Sequence, residues 1–233
     1  GSAKQPRTYK NPFTSFEREM MIKRATAGLA LTINVVENID TIYNDQAWAV
    51  RIQSIVNTLA CDGDKIGIIG HKKDDSSFYL DMFPQWGYEN VEEIAPLSAV
   101  NIRDLYFKRN CNLEFIRGVV PQTTFEMLLD FKQSEEYEQI IREREFVENY
   151  KKQYASLPYP PIFSTADAVV IQSGHVLMIR RRAEPGKGLW ALPGGYVNAN
   201  TDKSVESAML RELREETGLQ ATEWHFLCTI HNA

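Results

Sequence analysis

Apolar positions along this chain change their period several times, and each change marks an element. Asn11-Pro12-Phe13-Thr14 leads into Ser15-Phe16-Glu17-Arg18, with Thr14 and Glu17 spaced as a capping box, which predicts a helix to about Ala27. Leu31 to Val36 alternates and is β-branched, which predicts a strand. From Gln46 to Leu59, Trp48, Ile52, Ile55, Val56 and Leu59 recur along one helical face, with Asp45 as the predicted N-cap. Asp62-Gly63-Asp64 reads as a turn, and Lys65 to Gly70 is a short apolar run of the kind found in buried parallel strands. The polar stretch His71 to Ser77 follows at its carboxyl end, where open α/β sheets bind ligands. A short helix over Tyr79–Phe83, a strand over Val91–Ile94 and a helix from Ser98 to Phe107 come next. Thr123 to Tyr154 is helical and charged, with Phe125, Leu128, Tyr137, Ile140 and Ile141 among its apolar positions. Strands are predicted over Thr165–Gln172 and His175–Arg180, joined by a Ser173-Gly174 turn. A helix carrying Arg211, Glu212, Glu215 and Glu216 stops at Gly218, and a last strand is predicted over Trp224–Ile230.

Helices alternating with strands predict an α/β fold with a parallel sheet in the first half. Leu157-Pro158-Tyr159-Pro160-Pro161 is a stiff, proline-rich break and marks a domain border. The expected organisation is a first domain over 1–156, a linker over 157–162 and a second domain over 163–233. Both ends look abrupt, the second lying inside the final predicted strand. The chain is therefore expected to be a segment of a longer one.

Composition narrows the function. The 233 residues carry a formal net charge of -5, which speaks against a nucleic-acid binder, since such domains are usually basic. No apolar run is long enough to span a membrane, and no leader pattern opens the chain. The three cysteines are widely spaced and lack metal-ligand spacing, so they read as reduced thiols of a cytoplasmic protein.

The candidate chemistry begins at Leu192 and ends at Leu219. Two glycines, Gly194 and Gly195, lead through a polar loop into the helix that carries Glu212, Glu215 and Glu216. Carboxylates at i, i+3 and i+4 share one helical face and repel one another by a few tenths of a kcal/mol per pair. A hard divalent cation reverses the sign of that cost, because it takes oxygen ligands.

This stretch resembles the Nudix hydrolase family, whose pattern is G-x5-E-x7-R-E-U-x-E-E-x-G-U with U a bulky aliphatic residue. Arg211-Glu212-Leu213-Arg214-Glu215-Glu216-Thr217-Gly218-Leu219 fits the second part of it completely. The resemblance implies that Glu215 and Glu216 bind Mg²⁺ or Mn²⁺, that Glu212 is a ligand or a base, and that Arg211 orients the carboxylates. Arg180, Gly194 and Gly195 are the implied substrate contacts. Gly195 and Arg211 are 16 positions apart where the pattern has 14, so the pattern's first glutamate falls on Lys203. Asp202 and Glu206 are the two acids placed to stand in for it.

The first half resembles the nicotinamide mononucleotide adenylyltransferases that are fused to a Nudix domain in some bacteria. The matching stretches are Asn11-Pro12-Phe13-Thr14 with Glu17-Arg18, Tyr43-Asn44-Asp45 with Trp48, Gly70-His71 with Lys73-Asp74 and Ser76-Ser77, Phe83-Pro84-Gln85-Trp86, and Leu97-Ser98-Ala99-Val100-Asn101-Ile102-Arg103. The resemblance implies a Rossmann-like nucleotidyltransferase sheet lacking its first strand, followed by an α+β Nudix domain incomplete at its C-terminus. It implies that Arg103 acts on the phosphates of ATP at a helix start. Trp48 would stack on the nicotinamide ring, Asn44 would bind its amide, and His71 and Ser98 would contact substrate. By residue type alone, a tryptophan on a helix face belongs to the core as readily as to a site, and His71 is open between site and structure. The family's two-histidine phosphate motif is absent, its place falling ahead of Gly1. Val100 stands where the family has a threonine.

The function implied is NAD metabolism, by adenylyl transfer from ATP to nicotinamide mononucleotide and metal-dependent hydrolysis of ADP-ribose to AMP and ribose 5-phosphate. The implied partners are these nucleotides, with neither nucleic acid nor membrane and with oligomerisation left open. Two alternatives stand beside it. One is a Nudix hydrolase joined to a degenerate, nucleotide-binding transferase domain. The other is a non-catalytic regulator that senses ADP-ribose.

Overall fold

The computed structural model describes residues 3–39, 44–72, 75–92, 98–159 and 161–230. The chain divides into two compact units, residues 1–144 and 145–233. Among the described residues, no helix is long and apolar enough to cross a membrane.

In the first unit, helix α1 (Ser15–Thr26) starts at the expected capping box, in which the Glu17 N–H donates to Thr14 and the Thr14 N–H donates to Glu17. Helix α2 (Asp45–Leu59) is capped by Asn44 and not by Asp45. The Asn44 Oδ1 accepts from the Ala47 N–H at 2.9 Å, which makes Asp45 the first helical residue. Strands β1 (Gly67–Gly70) and β2 (Gly87–Asn90) pair in parallel, register Gly67 to Gly87 and Gly70 to Asn90. A 3-10 helix over Asp75–Met82 connects them. The second strand begins earlier than the expected Val91–Ile94, because the ladder is set by Gly87 entering opposite Gly67. The end of that expected strand, Glu93 and Ile94, lies outside the described residues, as do Tyr43, Lys73, Asp74 and Leu97.

The expected strand over Leu31–Val36 does not form. The segment is irregular, with Leu31 and Val36 exposed and without a ladder partner among the described residues. Strand propensity is a preference for a half-buried pleated surface, and no described residue offers the other edge here.

Helices α3 (Ala99–Tyr106), α4 (Leu113–Arg117), α5 (Gln122–Lys132) and α6 (Glu135–Lys152) complete the helical part. Tyr106, Phe107, Ile116, Phe125, Leu128, Tyr137, Ile140 and Ile141 form its core, and α1 packs on α5. Two buried phenols tie this core to backbone. The Tyr106 hydroxyl donates to the Leu128 carbonyl at 2.6 Å, and the Tyr137 hydroxyl donates to the Tyr106 carbonyl at 2.8 Å.

The second unit is built of short antiparallel pairs. Strand β3 (Thr165–Asp167) pairs with β8 (Gly194–Tyr196), β4 (Ile171–Gln172) with β5 (His175–Val176), and β6 (Ile179–Arg180) with β7 (Trp190–Ala191). The β4–β5 hairpin turns at Ser173-Gly174, both at positive φ (50° and 75°), the backbone that a two-residue hairpin needs. Helix α7 (Val205–Thr217) packs on β3 and β8. The expected strand over Trp224–Ile230 does not form, and the segment is irregular and exposed, without a paired neighbour among the described residues.

Burial holds the phenols of Tyr106 and Tyr137 above the ordinary tyrosine range. Burial, helped by its hydrogen bond to Asp104, pushes Tyr9 up to about 12. A group whose pKa is higher folded than unfolded adds stability below the unfolded value of about 10 and loses it as pH rises through the folded value. Unfolding by urea is therefore expected to keep its midpoint up to about pH 10 and to lose it steeply above, with Tyr106→Phe shallower in slope. A midpoint unchanged from pH 9 to pH 11.5 would contradict this.

Candidate active site

Helix α7 begins at Ser204, whose Oγ accepts from the Ser207 N–H. It ends at Gly218, which takes the left-handed φ of 76° that closes a helix. Ala208 and Leu213 are buried under the sheet. Arg211, Glu212 and Glu215 follow Ala208 by three, four and seven positions and share its side of the helix, where Glu212 meets Gly195 and Glu216 meets Gly194 of β8.

Arg211 organises this side. Its Nε and Nη2 both donate to the Asp202 carboxylate at 2.9 Å. Its Nη1 donates to Glu212 at 2.7 Å and to Glu215 at 3.1 Å, and its Nη2 reaches the Tyr196 carbonyl at 3.1 Å. Hydrogen bonding to Arg211 drops the Asp202 carboxyl to about 2, and the pairing with Asp202 raises Arg211 further above its ordinary value. The Asn198 N–H also donates to Asp202, at 2.8 Å, so the polar loop is closed onto the same carboxylate. Of the two acids placed to replace the missing glutamate, the structure thus brings Asp202 to Arg211. Glu206 stays in the first turn of α7, its carboxyl lowered by Ser204.

The glycines fit the carboxylates closely. The Gly194 N–H donates to Glu216 at 2.9 Å. A Cβ on Gly195 would lie 2.5 Å from the Glu212 Oε1, and one on Gly194 would lie 2.5 Å from the Ala166 carbonyl oxygen. Asp167, which the sequence reading passed over, has its carboxylate against Gly194, and burial raises its pKa. Its place in a short strand gave no local signal. Arg180 donates from Nε to the Gly188 carbonyl at 3.0 Å and lies 5.9 Å from the Trp190 ring centre.

Among the described residues no three acids, histidines or cysteines are grouped to hold a metal ion. Arg211 engages Glu212 and Glu215, while Glu216 faces the Gly194 amide. The donors are nevertheless all hard oxygens, as a hard divalent cation requires. Glu215 is 52% exposed and so able to turn.

In the first unit the expected residues lie on separate elements, and His71 is the one held at the carboxyl ends of β1 and β2. His71 follows β1 and donates from Nδ1 to the Val91 carbonyl at 3.0 Å. Ser98 caps α3, accepting from the Val100 N–H at 3.2 Å. Arg103, one turn on, has its Nε buried without a hydrogen-bond partner, a donor arranged for an anion. Asn44 has its oxygen committed to the α2 cap. Trp48 meets Tyr79 edge-on at 6.4 Å and Phe83 at 6.0 Å, so one side of the indole is packed.

A family model for the NUDIX domain matches residues 162–232. The nicotinamide/nicotinic acid mononucleotide adenylyltransferase of Acinetobacter baylyi is 36% identical over 142 residues, which cover 60% of this chain and 73% of that protein. The chain belongs to this adenylyltransferase family. The ADP-ribose pyrophosphatase of Methanocaldococcus jannaschii is 36% identical over 80 residues, 34% of this chain and 42% of that protein. A bifunctional NMN adenylyltransferase/ADP ribose pyrophosphatase of Francisella tularensis superposes with a TM-score of 0.80 at 31% identity, covering 93% of this chain. Its complex with AMP and a manganese ion gives 0.78. This chain spans 63% of the length of the Francisella protein. The NUDIX match contains the carboxylate helix α7.

The two glycines should separate fold from site. Gly194→Ala drives a Cβ into backbone and is expected to destabilise by roughly 1–3 kcal/mol, as overpacking does. Gly195→Ala meets only the movable end of Glu212, so it is expected to leave the melting temperature near normal while weakening Mn²⁺ binding in calorimetry. The reverse assignment would show that Glu212 is not seated on Gly195.

Proposed function

We propose that the parent of this chain serves NAD metabolism in the cytoplasm with two activities. The first unit transfers AMP from ATP to nicotinamide mononucleotide, releasing pyrophosphate. The second hydrolyses ADP-ribose to AMP and ribose 5-phosphate, using a divalent cation that we take to be magnesium. The functional border lies in residues 157–162. No nucleic acid or membrane takes part.

The observation that carries the reading is the carboxylate face of α7, seated on Gly194-Gly195 and held by Arg211 within a NUDIX domain. Hydrolysis of a diphosphate needs its charge neutralised and a water made nucleophilic. A cation held by Glu215 and Glu216, with Glu212 beside them, would supply both. Arg211 keeps the carboxylates in rotamers that face the glycine loop. Glu212 is within reach to hold a further ligand or to accept a proton from water.

In the adenylyltransferase half, adenylyl transfer is mostly positioning and charge stabilisation. Arg103 supports this with a buried guanidinium donor that lacks an internal partner, and Ser98 starts the helix that bears it. Trp48 offers the remaining face of its ring to a nicotinamide, Asn44 its amide group, and His71 the carboxyl end of β1. Arg180 and the two glycines would contact the ADP-ribose.

In the full-length protein, Glu215→Gln is expected to lower Mg²⁺-dependent release of AMP from ADP-ribose at least 100-fold, measured by chromatography, without changing NAD synthesis. Near-normal turnover would remove Glu215 from the metal site. Trp48→Ala is expected to raise KM for nicotinamide mononucleotide about tenfold, with KM for ATP within about twofold, if stacking contributes about 1–3 kcal/mol. An equal rise for both substrates would return Trp48 to the packing of α2.

A further inference from the structure

Cys111 stands apart from the other two cysteines. Cys61 and Cys228 are exposed, while Cys111 is half-buried in the connection between α3 and α4. Its sulfur accepts a hydrogen bond from the Lys132 ammonium at 3.2 Å, across 21 positions of the chain. Lys132 is the last residue of α5. Neither activity proposed above uses this pair.

Both ends of the contact are held by packing. Phe107, four positions ahead of Cys111, and Leu128, four ahead of Lys132, belong to the same core. The Cys111 N–H donates to the Lys108 carbonyl at 3.0 Å, which closes the turn that follows α3. The Tyr137 hydroxyl lies beside the sulfur as well. A lysine ordinarily keeps its ammonium in water while its stem covers apolar surface. Lys132 is half-buried and directs its ammonium to sulfur, not to a carboxylate.

Such a pair has a specific chemistry. The thiolate is the nucleophilic form of cysteine, and an ammonium that donates to it is its counter-charge. Oxidation turns the sulfur from a nucleophile into an electrophile, and here an amine is already in contact with it.

We propose that Cys111 and Lys132 form a reversible covalent link when hydrogen peroxide reaches the protein. In the first step the Cys111 thiolate attacks peroxide. An S–O bond forms, the O–O bond breaks, and the departing hydroxide takes up a proton as water. Sulfur is oxidised by two electrons, peroxide is reduced, and Cys111 becomes a sulfenic acid. In the second step the neutral Lys132 amine attacks that sulfur. An S–N bond forms, the S–O bond breaks, and hydroxide leaves as water with the proton from nitrogen. Two molecules of a thiol reverse the link, returning the amine and the cysteine and becoming a disulfide themselves. The link removes the sulfenic acid before a second peroxide carries it to the sulfinic acid, from which thiols do not recover it. It also ties the end of α5 to the segment that follows α3, the helix that begins at Ser98 and bears Arg103.

The test treats the full-length protein with hydrogen peroxide and maps its peptides by mass spectrometry. A linked pair holding Cys111 and Lys132, about 2 Da lighter than the two peptides together, is expected, and dithiothreitol should remove it. The linked protein should melt roughly 5 °C above the reduced protein, as a closed loop of this length does. Lys132→Arg keeps the cation and is expected to lose the linked pair, with Cys111 gaining about 32 Da as the sulfinic acid. Cys111→Ser should lose both products. The parent protein alone is enough to refute the proposal, whether or not the variants fold. Sulfinic acid at Cys111 without the linked pair overturns it, as does linkage confined to Cys61 or Cys228.

Discussion

The second unit depends on one guanidinium. Glu212, Glu215 and Glu216 share a helical face where like charges repel, and Arg211 lies among them as their counter-charge. Its planar fork suits this place, because it donates along several directions and stays charged at any physiological pH. One edge is taken up by Asp202 in two parallel hydrogen bonds, the strong form of the contact, and the other reaches Glu212 and Glu215. Loop, strand β8 and helix are thus joined at a single side chain, since the Tyr196 carbonyl is also a partner.

This arrangement explains how a loop two residues longer than the family pattern is accommodated. The register of the pattern places Lys203 at the first acidic position, where a lysine would repel Arg211. The extra length instead folds back through Asn198, and Asp202 arrives at the guanidinium. The charge needed there is kept, and its sequence position moves. The same hydrogen bonds hold Asp202 ionised down to about pH 2, so the link persists through any ordinary range.

The two units are stabilised differently. The first has a helical core of aromatic and aliphatic side chains in which two buried phenols reach backbone carbonyls. The second is made of short strand pairs, with its order concentrated where α7 covers β3 and β8. Four of its rings, Tyr150, Tyr154, Phe163 and Tyr196, line one open cleft of about 610 Å³ together with Gly195 and Glu212.

Much of this was legible along the chain. Thr14 with Glu17, the Ser173-Gly174 turn and Gly218 act through neighbours a few residues away, so local spacing was sufficient for the helix starts, the hairpin and the helix end. The spacing of Arg211, Glu212, Glu215 and Glu216 put them on one face for the same reason. What local spacing could not decide was pairing. Leu31–Val36 and Trp224–Ile230 have strand composition, yet a strand exists only where another edge accepts its hydrogen bonds. Nor could it choose between Asp202 and Glu206, find Asp167 against Gly194, or gather Tyr150, Tyr154, Phe163 and Tyr196 around a cleft. Those residues lie far apart or on a bent loop, and their meeting depends on where the packed helix and strands carry them. The sequence by itself determined the helices, their caps and the kind of chemistry, because each follows from near neighbours. Tertiary structure alone decided which acid holds Arg211 and which rings share the cleft, because both are contacts between distant parts of the chain.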